Sequence, residues 1–297
     1  MTAHLVPAPR DGAPTGLALY DRTARDAAAT VIAGYSTSFS LACRLLGPRP
    51  RPHVRNVYAL VRVADEIVDG PAAAAGLTTA QTAAVLDDLE AETVAAIERG
   101  FSANLVVHAF ARTARECGID AALVRPFFAS MRTDLSVARH DDASHSAYVY
   151  GSAEVVGLMC LHVFVNAGAR HPIAPGPDLV EGARRLGAAF QDLNFLRDLD
   201  HDESTLGRDY LGIAAGTTTR AGVLDRVDAD LAAAAVVIPG LPADCRRAVT
   251  AAHDLFAELS ARLRRSGGGV RVRVPDAVKA RLAARAWLGL APREARA

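Results

Sequence analysis

Two groups of polar side chains at helical spacing constrain the fold more than any other feature of this sequence. The first lies in QDLNFLRDLDHD, where Gln191, Asn194, Asp198 and Asp202 follow at intervals of three or four residues. On an α-helix these four side chains share one stripe about 80° wide. Two amides and two carboxylates are costly to point at an apolar core, whereas their oxygens suit hard divalent cations such as Mg²⁺. The stripe therefore predicts a helix that faces metal ions.

A second segment, RVADEIVD, supplies a partner for this stripe. Arg62, Asp65 and Asp69 fall within about 60° of one another on a helix, and Glu66 lies close to the same face. The intervening residues are apolar, which disfavours a plain solvated acidic surface. Two facing Asp-x-x-x-Asp helices form a clamp of four carboxylates. Such a clamp can hold several Mg²⁺ ions against a diphosphate.

Composition favours one helical domain. Of the 297 residues, 51% are hydrophobic, aromatic residues are few, and alanine and leucine are abundant. There is no internal repeat and no strand-rich region, although VRVRV at 270–274 alternates like a short strand. We predict an all-α domain of about ten helices over residues 17–290, preceded by a disordered tail, residues 1–16, rich in proline and glycine.

Charge and cysteine content exclude several classes of protein. The 33 basic and 33 acidic residues cancel, so nothing favours a nucleic-acid partner. The four cysteines form neither a CxxC pair nor a zinc spacing, which is typical of a reduced cytosolic protein. No signal pattern is present, and no apolar run reaches about 18 residues. The nearest run, 155–169, contains His162 and Asn166 and favours a core helix.

Several other residues have two interpretations. Ser36, Ser38 and Ser40 can contact a phosphate at a helix end, or can simply cap that helix. Tyr148 can present its hydroxyl to a bound anion, or can pack between helices. The helical glycines near it, Gly151 among them, indicate close helix packing or a local break beside a ligand.

Two acidic groups are assigned structural roles. Asp134 is flanked by Arg132 and Arg139, which predicts a surface ion pair. The D-x-D-x-D run at 198–202 looks like the start of an EF-hand loop. However, Glu203 stands where that loop needs glycine and Asp209 where it needs glutamate, so we reject a calcium loop.

The order of motifs resembles the squalene/phytoene synthase family. The motifs are SxSF at 36–39, YALVRVADEIVD at 58–69, YVYGSAEVVG at 148–157, QDLNFLRDLDHD at 191–202 and GRDYL at 207–211. Their spacing extends the resemblance over about residues 35 to 290. The LGAAFQ, NFLRDL and LGRDYL variants are most similar to the actinobacterial phytoene synthase branch.

The resemblance implies an isoprenoid-synthase helical fold around a central cavity, prenyl diphosphate substrates, and Mg²⁺ or Mn²⁺ as cofactor, with NADPH not expected. It implies head-to-head (1-1′) condensation of two geranylgeranyl diphosphates to phytoene through prephytoene diphosphate, in carotenoid biosynthesis. The expected location is the cytoplasm, with peripheral membrane contact because substrates and product are lipids. Asp65, Asp69, Asn194, Asp198 and Asp202 are the implied metal ligands; Ser38, Arg62, Gln191, Asn194, Arg197 and Arg208 contact diphosphate; the four aspartates, Arg62 and Tyr148 are the implied catalytic residues.

This chain departs from the family pattern in four places. Asp192 replaces an apolar or neutral residue, and Phe256 replaces a tyrosine of a late helix. The connection from Asp202 to Gly207 is one residue longer than in many members, and the segment before VRVRV is short. None of these changes removes an implied metal ligand.

Other functions stay open at this point. A family member can use farnesyl diphosphate to make squalene, dehydrosqualene or a presqualene-type alcohol. A terpene cyclase acting on a single prenyl diphosphate is a second alternative, which the Asp192 and Phe256 departures keep open. A third is a non-catalytic prenyl-lipid-binding or assembly factor, although such a protein is expected to lose the metal-binding aspartates. The sequence predicts neither the prenyl chain length nor the oligomeric state.

Overall fold

The structure, a computed structural model, describes residues 14–35, 42–137, 141–201, 210–213, 216–266 and 272–293. Throughout these ranges the regular elements are helices, and none is a strand. This confirms the predicted all-α class. Residues 272–275 of the strand-like segment run into the last helix without regular structure.

Twelve α-helices, one π-helical turn and one 3₁₀ turn lie wholly within the described ranges, and residues 42–45 are also helical. The helices are α1 (Gly16–Tyr35), α2 (Arg51–Val68), α3 (Pro71–Ala74), α4 (Thr79–Arg99), α5 (Leu105–Cys117), α6 (Ala121–Thr133), α7 (Asp142–Val149), α8 (Val155–Asn166), α9 (Pro177–His201), α10 (Arg220–Val237), α11 (Ala243–Ser266) and α12 (Asp276–Trp287). The π turn, Tyr150–Glu154, joins α7 to α8, and the 3₁₀ turn, Ile238–Gly240, follows α10.

Local signals in the sequence set several of these boundaries. Thr78 and Gln81 form a reciprocal capping box at the start of α4. The side chain of Asn104 accepts from the first backbone N–H groups of α5. Gly100 and Gly118 end α4 and α5 in the left-handed conformation, with φ values of 80° and 74°. These devices set the short connections from α4 to α5 and from α5 to α6.

The helices enclose two main apolar cores. The first is built by α2, α4, α5, α6 and α8 around Phe110, Phe127 and Phe128. The second is built by α7, α9, α10 and α11 around Leu193 and Leu231. Since α2 belongs to the first core and α9 to the second, the two Asp-bearing helices come from opposite sides of the molecule.

One continuous helical stretch, Ala143–Asn166, is long and apolar enough to cross a membrane by length and composition alone. It contains the end of α7, the π turn and α8. Core helices of globular proteins meet the same criteria, and 44% of its most apolar window is buried inside this fold. We interpret it as the central helix of the domain, as the sequence predicted for residues 155–169.

Candidate active site

A cavity of about 1300 Å³ lies between the two apolar cores. It is lined by all of the predicted site residues that the structure describes: Arg62, Asp65, Asp69, Tyr148, Gln191, Asn194, Arg197 and Asp198. The remaining predicted site residues, Ser38, Asp202 and Arg208, lie outside the described residues. The structure therefore brings the α2 and α9 motifs to the walls of one cavity, as the facing-helix hypothesis requires.

On the α2 side, Asp65 is held among other negative groups. Burial, together with the charges of Asp69 and Asp134, raises the pKa of the Asp65 carboxyl to about 8, against a lowering by Arg62. Asp69 ends α2, and its backbone N–H donates to the carbonyl of Asp65 at 2.9 Å. The cavity thus holds a carboxyl group that is costly to ionise unless a cation is nearby.

Arg62 is fixed at the same wall. Its guanidinium pairs with Glu66 one turn along α2, and it lies 4.8 Å from the centroid of the Tyr35 ring. Glu66, which the sequence placed among the crowded carboxylates, is thus neutralised locally.

On the α9 side, the charge of the Asp198 carboxylate is compensated by the neighbouring guanidinium. The Arg197 guanidinium donates to both oxygens of Asp198, with Nη2–Oδ2 and Nε–Oδ1 distances of 2.6 and 3.1 Å. Asn194 lines the cavity one turn before Asp198, and Gln191 lines it two turns before. This wall therefore offers amide groups, a paired carboxylate and a guanidinium within one helical stripe.

Asp134 is a site residue that the sequence analysis assigned to the surface, and that prediction was wrong. It is only 8% exposed and accepts from the hydroxyls of Tyr148 and Tyr210. Arg132, its expected partner, instead binds Asp87 and Glu90 on α4.

Helical spacing was the signal that could have found Asp134. Phe127 and Met131 are buried at 1% and 3%, and Asp134 continues their face at i+7 and i+3. The flanking arginines pointed to the surface, but Arg132 lies on another face of α6 and Arg139 lies outside the described residues. A carboxylate that continues a buried stripe is a candidate for a polar role inside a cavity.

The glycine-rich stretch beside Tyr148 serves both predicted purposes. Residues 150–154 form a π-helical turn, a rare geometry that often marks functional sites. The helices also pack closely there: a Cβ atom added at Gly157 would lie 2.6 Å from the carbonyl oxygen of Ala183 on α9. At Gly151 an added Cβ would overlap Ser130 and the carbonyl of Pro126 on α6.

The Asp192 departure has a structural explanation. Its carboxylate, 3% exposed, accepts from Arg226 of α10 at 2.7 and 3.0 Å, and Nε2 of His145 lies 3.1 Å from Oδ1. His145 also donates from Nδ1 to the backbone carbonyl of Tyr210 at 2.8 Å. The extra charge is therefore used to join α9 to α7, to α10 and to the segment that carries Tyr210.

Asp192→Ala is expected to destabilise the fold by about 2 kcal/mol, because it removes a buried carboxylate that accepts from Arg226 and lies beside His145. Asp225 is the matched control, since its side chain is 69% exposed and pairs with Arg264 at the surface. Asp225→Ala should cost less than about 1 kcal/mol. Urea unfolding of both variants measures the difference, and equal losses would contradict this role for Asp192.

The second departure, Phe256, adds apolar surface to the cavity. Its ring stacks on Phe190 of α9 with centroids 3.8 Å apart and planes 15° from parallel. Both rings line the cavity. A hydroxyl is absent at this position, so any proton transfer in the cavity depends on other groups.

The donor set fits a hard divalent cation. All candidate ligands offer oxygen atoms, and the pKa of Asp65 is raised by burial and by the charges of Asp69 and Asp134, effects that a bound cation would offset. Among the described side chains, no three His, Cys, Asp or Glu residues converge closely enough to hold an ion by themselves. The implied ligand Asp202 is outside that set, and a diphosphate substrate can supply further oxygens.

Comparison with known proteins agrees with this arrangement. Residues 32–213 match the squalene/phytoene synthase family. Phytoene synthase 3, chloroplastic, of Zea mays is 30% identical over 213 residues, 71% of this chain and 46% of that protein. The 15-cis-phytoene synthase of Paracoccus sp. is 27% identical over 252 residues, 78% of this chain and 79% of that protein. The chain spans about half the length of several curated relatives that it matches.

Solved structures share the fold. A dehydrosqualene synthase in complex with ligand superposes with a TM-score of 0.74 and 22% identity, over 90% of this chain and 96% of that one. Squalene synthase HpnC from Alicyclobacillus acidocaldarius gives a TM-score of 0.68 at 19% identity, over 84% and 96%. None of these comparisons tests the expected likeness to actinobacterial members, which stays a prediction. With its fold shared and more than half of its length matched, the chain belongs to the squalene/phytoene synthase family.

Proposed function

We propose that this protein joins two geranylgeranyl diphosphates head to head to form phytoene, with release of diphosphate. The observation that carries the proposal is the pair of Asp-bearing helices on the walls of one cavity. The volume of about 1300 Å³ exceeds the ordinary 300–1,000 Å³ of small-molecule sites, which favours two long substrates over one. Geranylgeranyl diphosphate is preferred because the relatives at about 30% identity are named phytoene synthases.

The polar residues of the cavity would bind the diphosphate groups. Bound Mg²⁺ or Mn²⁺, held by Asp65, Asp69 and Asp198 with Asn194, would supply the positive charge that makes diphosphate a good leaving group. Arg62 and Arg197 are placed to donate to phosphate oxygens as negative charge develops there. The C–O bond of the first substrate then breaks, and its electron pair leaves with the diphosphate.

The apolar residues of the cavity would control the cation that remains. The C2=C3 double bond of the second substrate attacks the allylic cation, and proton loss gives a cyclopropylcarbinyl diphosphate. A second ionisation, rearrangement and proton loss complete the 1-1′ linkage. Walls such as Phe190, Phe256 and Phe164 exclude water, which would otherwise capture the cation as an alcohol.

Product analysis by mass spectrometry tests the proposal. Purified protein receives Mg²⁺ with geranylgeranyl or farnesyl diphosphate, each with and without NADPH, and Asp198→Asn is the inactive control. We expect a C40 hydrocarbon from the C20 substrate without NADPH. A C30 product from farnesyl diphosphate would change the assigned substrate but leave the proposed head-to-head condensation in place. A cyclic C15 or C20 product would favour a cyclase, and no product from either substrate would favour a lipid-binding role.

A further inference from the structure

A single carboxylate at the cavity wall binds two tyrosine hydroxyls. Tyr148 donates to both oxygens of Asp134, at 2.8 and 3.0 Å, and Tyr210 donates to one of them at 2.9 Å. All three residues line the cavity, and each is less than 10% exposed. They come from three separate segments, since Tyr148 follows Asp134 by 14 residues and Tyr210 follows it by 76.

The two rings are also held by other contacts. The Tyr210 ring stacks on Phe195 at 4.3 Å with planes 8° from parallel, and its backbone carbonyl accepts from His145. The Tyr148 ring lies 5.3 Å from that of Tyr210. These contacts hold both phenol oxygens within hydrogen-bond distance of Asp134.

The chemistry of the carboxylate fixes the direction of both hydrogen bonds. An ionised carboxylate only accepts, and a phenol has a single proton to donate. Both tyrosine protons therefore point at Asp134. Each hydroxyl proton, the positive end of the O–H dipole, is therefore engaged by Asp134 and not directed at a substrate.

We infer that Asp134 is a positioning residue, which holds the hydroxyl protons of Tyr148 and Tyr210 away from the carbocation formed in the cavity. This inference rests on the proposed function, because it assumes a cationic intermediate. Dipoles that are oriented before the reaction stabilise developing charge without a reorganisation cost. Asp134 acts through the tyrosines, and its carboxylate has no contact with substrate in this role.

Asp134→Asn tests the inference, because an amide keeps the shape but offers N–H donors as well as an oxygen. At least one tyrosine would then accept from Asn and turn its own proton into the cavity. We expect kcat to fall by about 100-fold, the magnitude of losing one oriented group in an active site, with KM changed by less than about threefold. Arg132→Gln, which alters the neighbouring surface ion pairs, should leave kcat unchanged within about twofold.

A double-mutant cycle separates positioning from general stability. If Asp134 acts through Tyr148, then Asp134→Asn combined with Tyr148→Phe should lose no more than about threefold beyond the more damaged single variant. Losses that multiply would overturn the inference. A fall in kcat that follows the unfolding midpoint from variant to variant would also overturn the inference.

The positioning role of Asp134 can also be tested without substrate. Fluorine NMR of protein labelled with fluorotyrosine reports the hydroxyl environment, and Phe variants assign the Tyr148 and Tyr210 resonances. Both should move in Asp134→Asn and stay in place in Arg132→Gln. Unmoved resonances in an active enzyme would overturn the inference alone. An inactive wild-type protein would instead overturn the proposed function, and with it the role assigned to Asp134.

Discussion

Asp65→Asn is expected to abolish product formation and, at the same time, to stabilise the metal-free protein at pH 9. The loss of activity should reach about a thousandfold, because the site loses a charged oxygen ligand of the cation. The gain in stability has a different cause. The carboxyl group lies among negative neighbours, and an amide of the same shape removes the charge that this location disfavours.

The pH dependence follows from the direction of the pKa shift. The folded-state pKa of Asp65 is raised from 3.8 to about 8, so the folded protein holds this proton more tightly than the unfolded chain does. Its contribution to stability is complete below about pH 4 and is lost as the pH rises through 8. Asp65→Asn removes that loss, so its advantage should be small at pH 5 and about 2 kcal/mol at pH 9, since the cavity retains some solvent.

Chemical unfolding in the presence of a chelator measures this effect. Asp198→Asn is the contrasting variant: it should lose activity as severely, yet gain no stability, because Arg197 already compensates Asp198 in the metal-free state. Added Mg²⁺ should raise the free energy of unfolding of the wild type and not of either variant. Asp88→Asn, on the exposed face of α4, should change neither quantity. Retained turnover in Asp65→Asn would contradict the metal-ligand assignment.

Gly151→Ala is expected to destabilise the fold by about 3 kcal/mol or more. The added Cβ atom would come closer than 3.0 Å to Ser130 Oγ and to the Pro126 carbonyl oxygen, a separation that real Cβ atoms essentially never show. The serine hydroxyl can rotate, but the carbonyl belongs to the backbone of α6 and cannot yield without moving that helix. Urea unfolding followed by circular dichroism gives the free energy.

Gly34→Ala provides the matched control for Gly151→Ala. Gly34 lies within α1, and an added Cβ atom there would meet nothing within 4 Å. Alanine should stabilise that helix by about 0.5 kcal/mol, because it restricts the unfolded chain and favours helix. If the two substitutions changed stability in the same direction, close packing at Gly151 would not explain the glycine.

The helical class and most helix positions could be predicted because the signals were local. Helical periodicity and boundary residues predict helices at 82–99, 220–237, 243–265 and 276–288, each within three residues of the observed bounds of α4, α10, α11 and α12. The sequence predicts a loop at 71–80, and the short helix α3, Pro71–Ala74, is missed because four residues carry no periodicity. The alternation of VRVRV is typical of a strand, but its described residues, 272–274, form none, because alternation alone does not supply a partner strand. Boundaries of the domain at 17 and 290 stay predictions.

The candidate site likewise contains residues that local sequence signals predicted and residues that they did not. Asp65, Asp69, Asn194 and Asp198 were found because a helix repeats its face every three or four residues, so each stripe is visible in the chain. Asp134 was missed because its partners, the two tyrosines, are distant in sequence and meet it only in the fold. The use of Asp192 was likewise hidden, since Arg226 lies 34 residues away on another helix.

The π turn at 150–154 has a consequence for how the central helix forms a wall. Residues at steps of four line the cavity along its whole length: Tyr148, Ser152, Val156, Cys160 and Phe164. In a regular α-helix each such step overshoots a full turn by about 40°, so four steps would carry the row to the opposite face. The wider π turn holds more residues per revolution and takes up part of this angular drift. The π turn therefore brings the residues before and after it closer to one cavity-facing side of the helix.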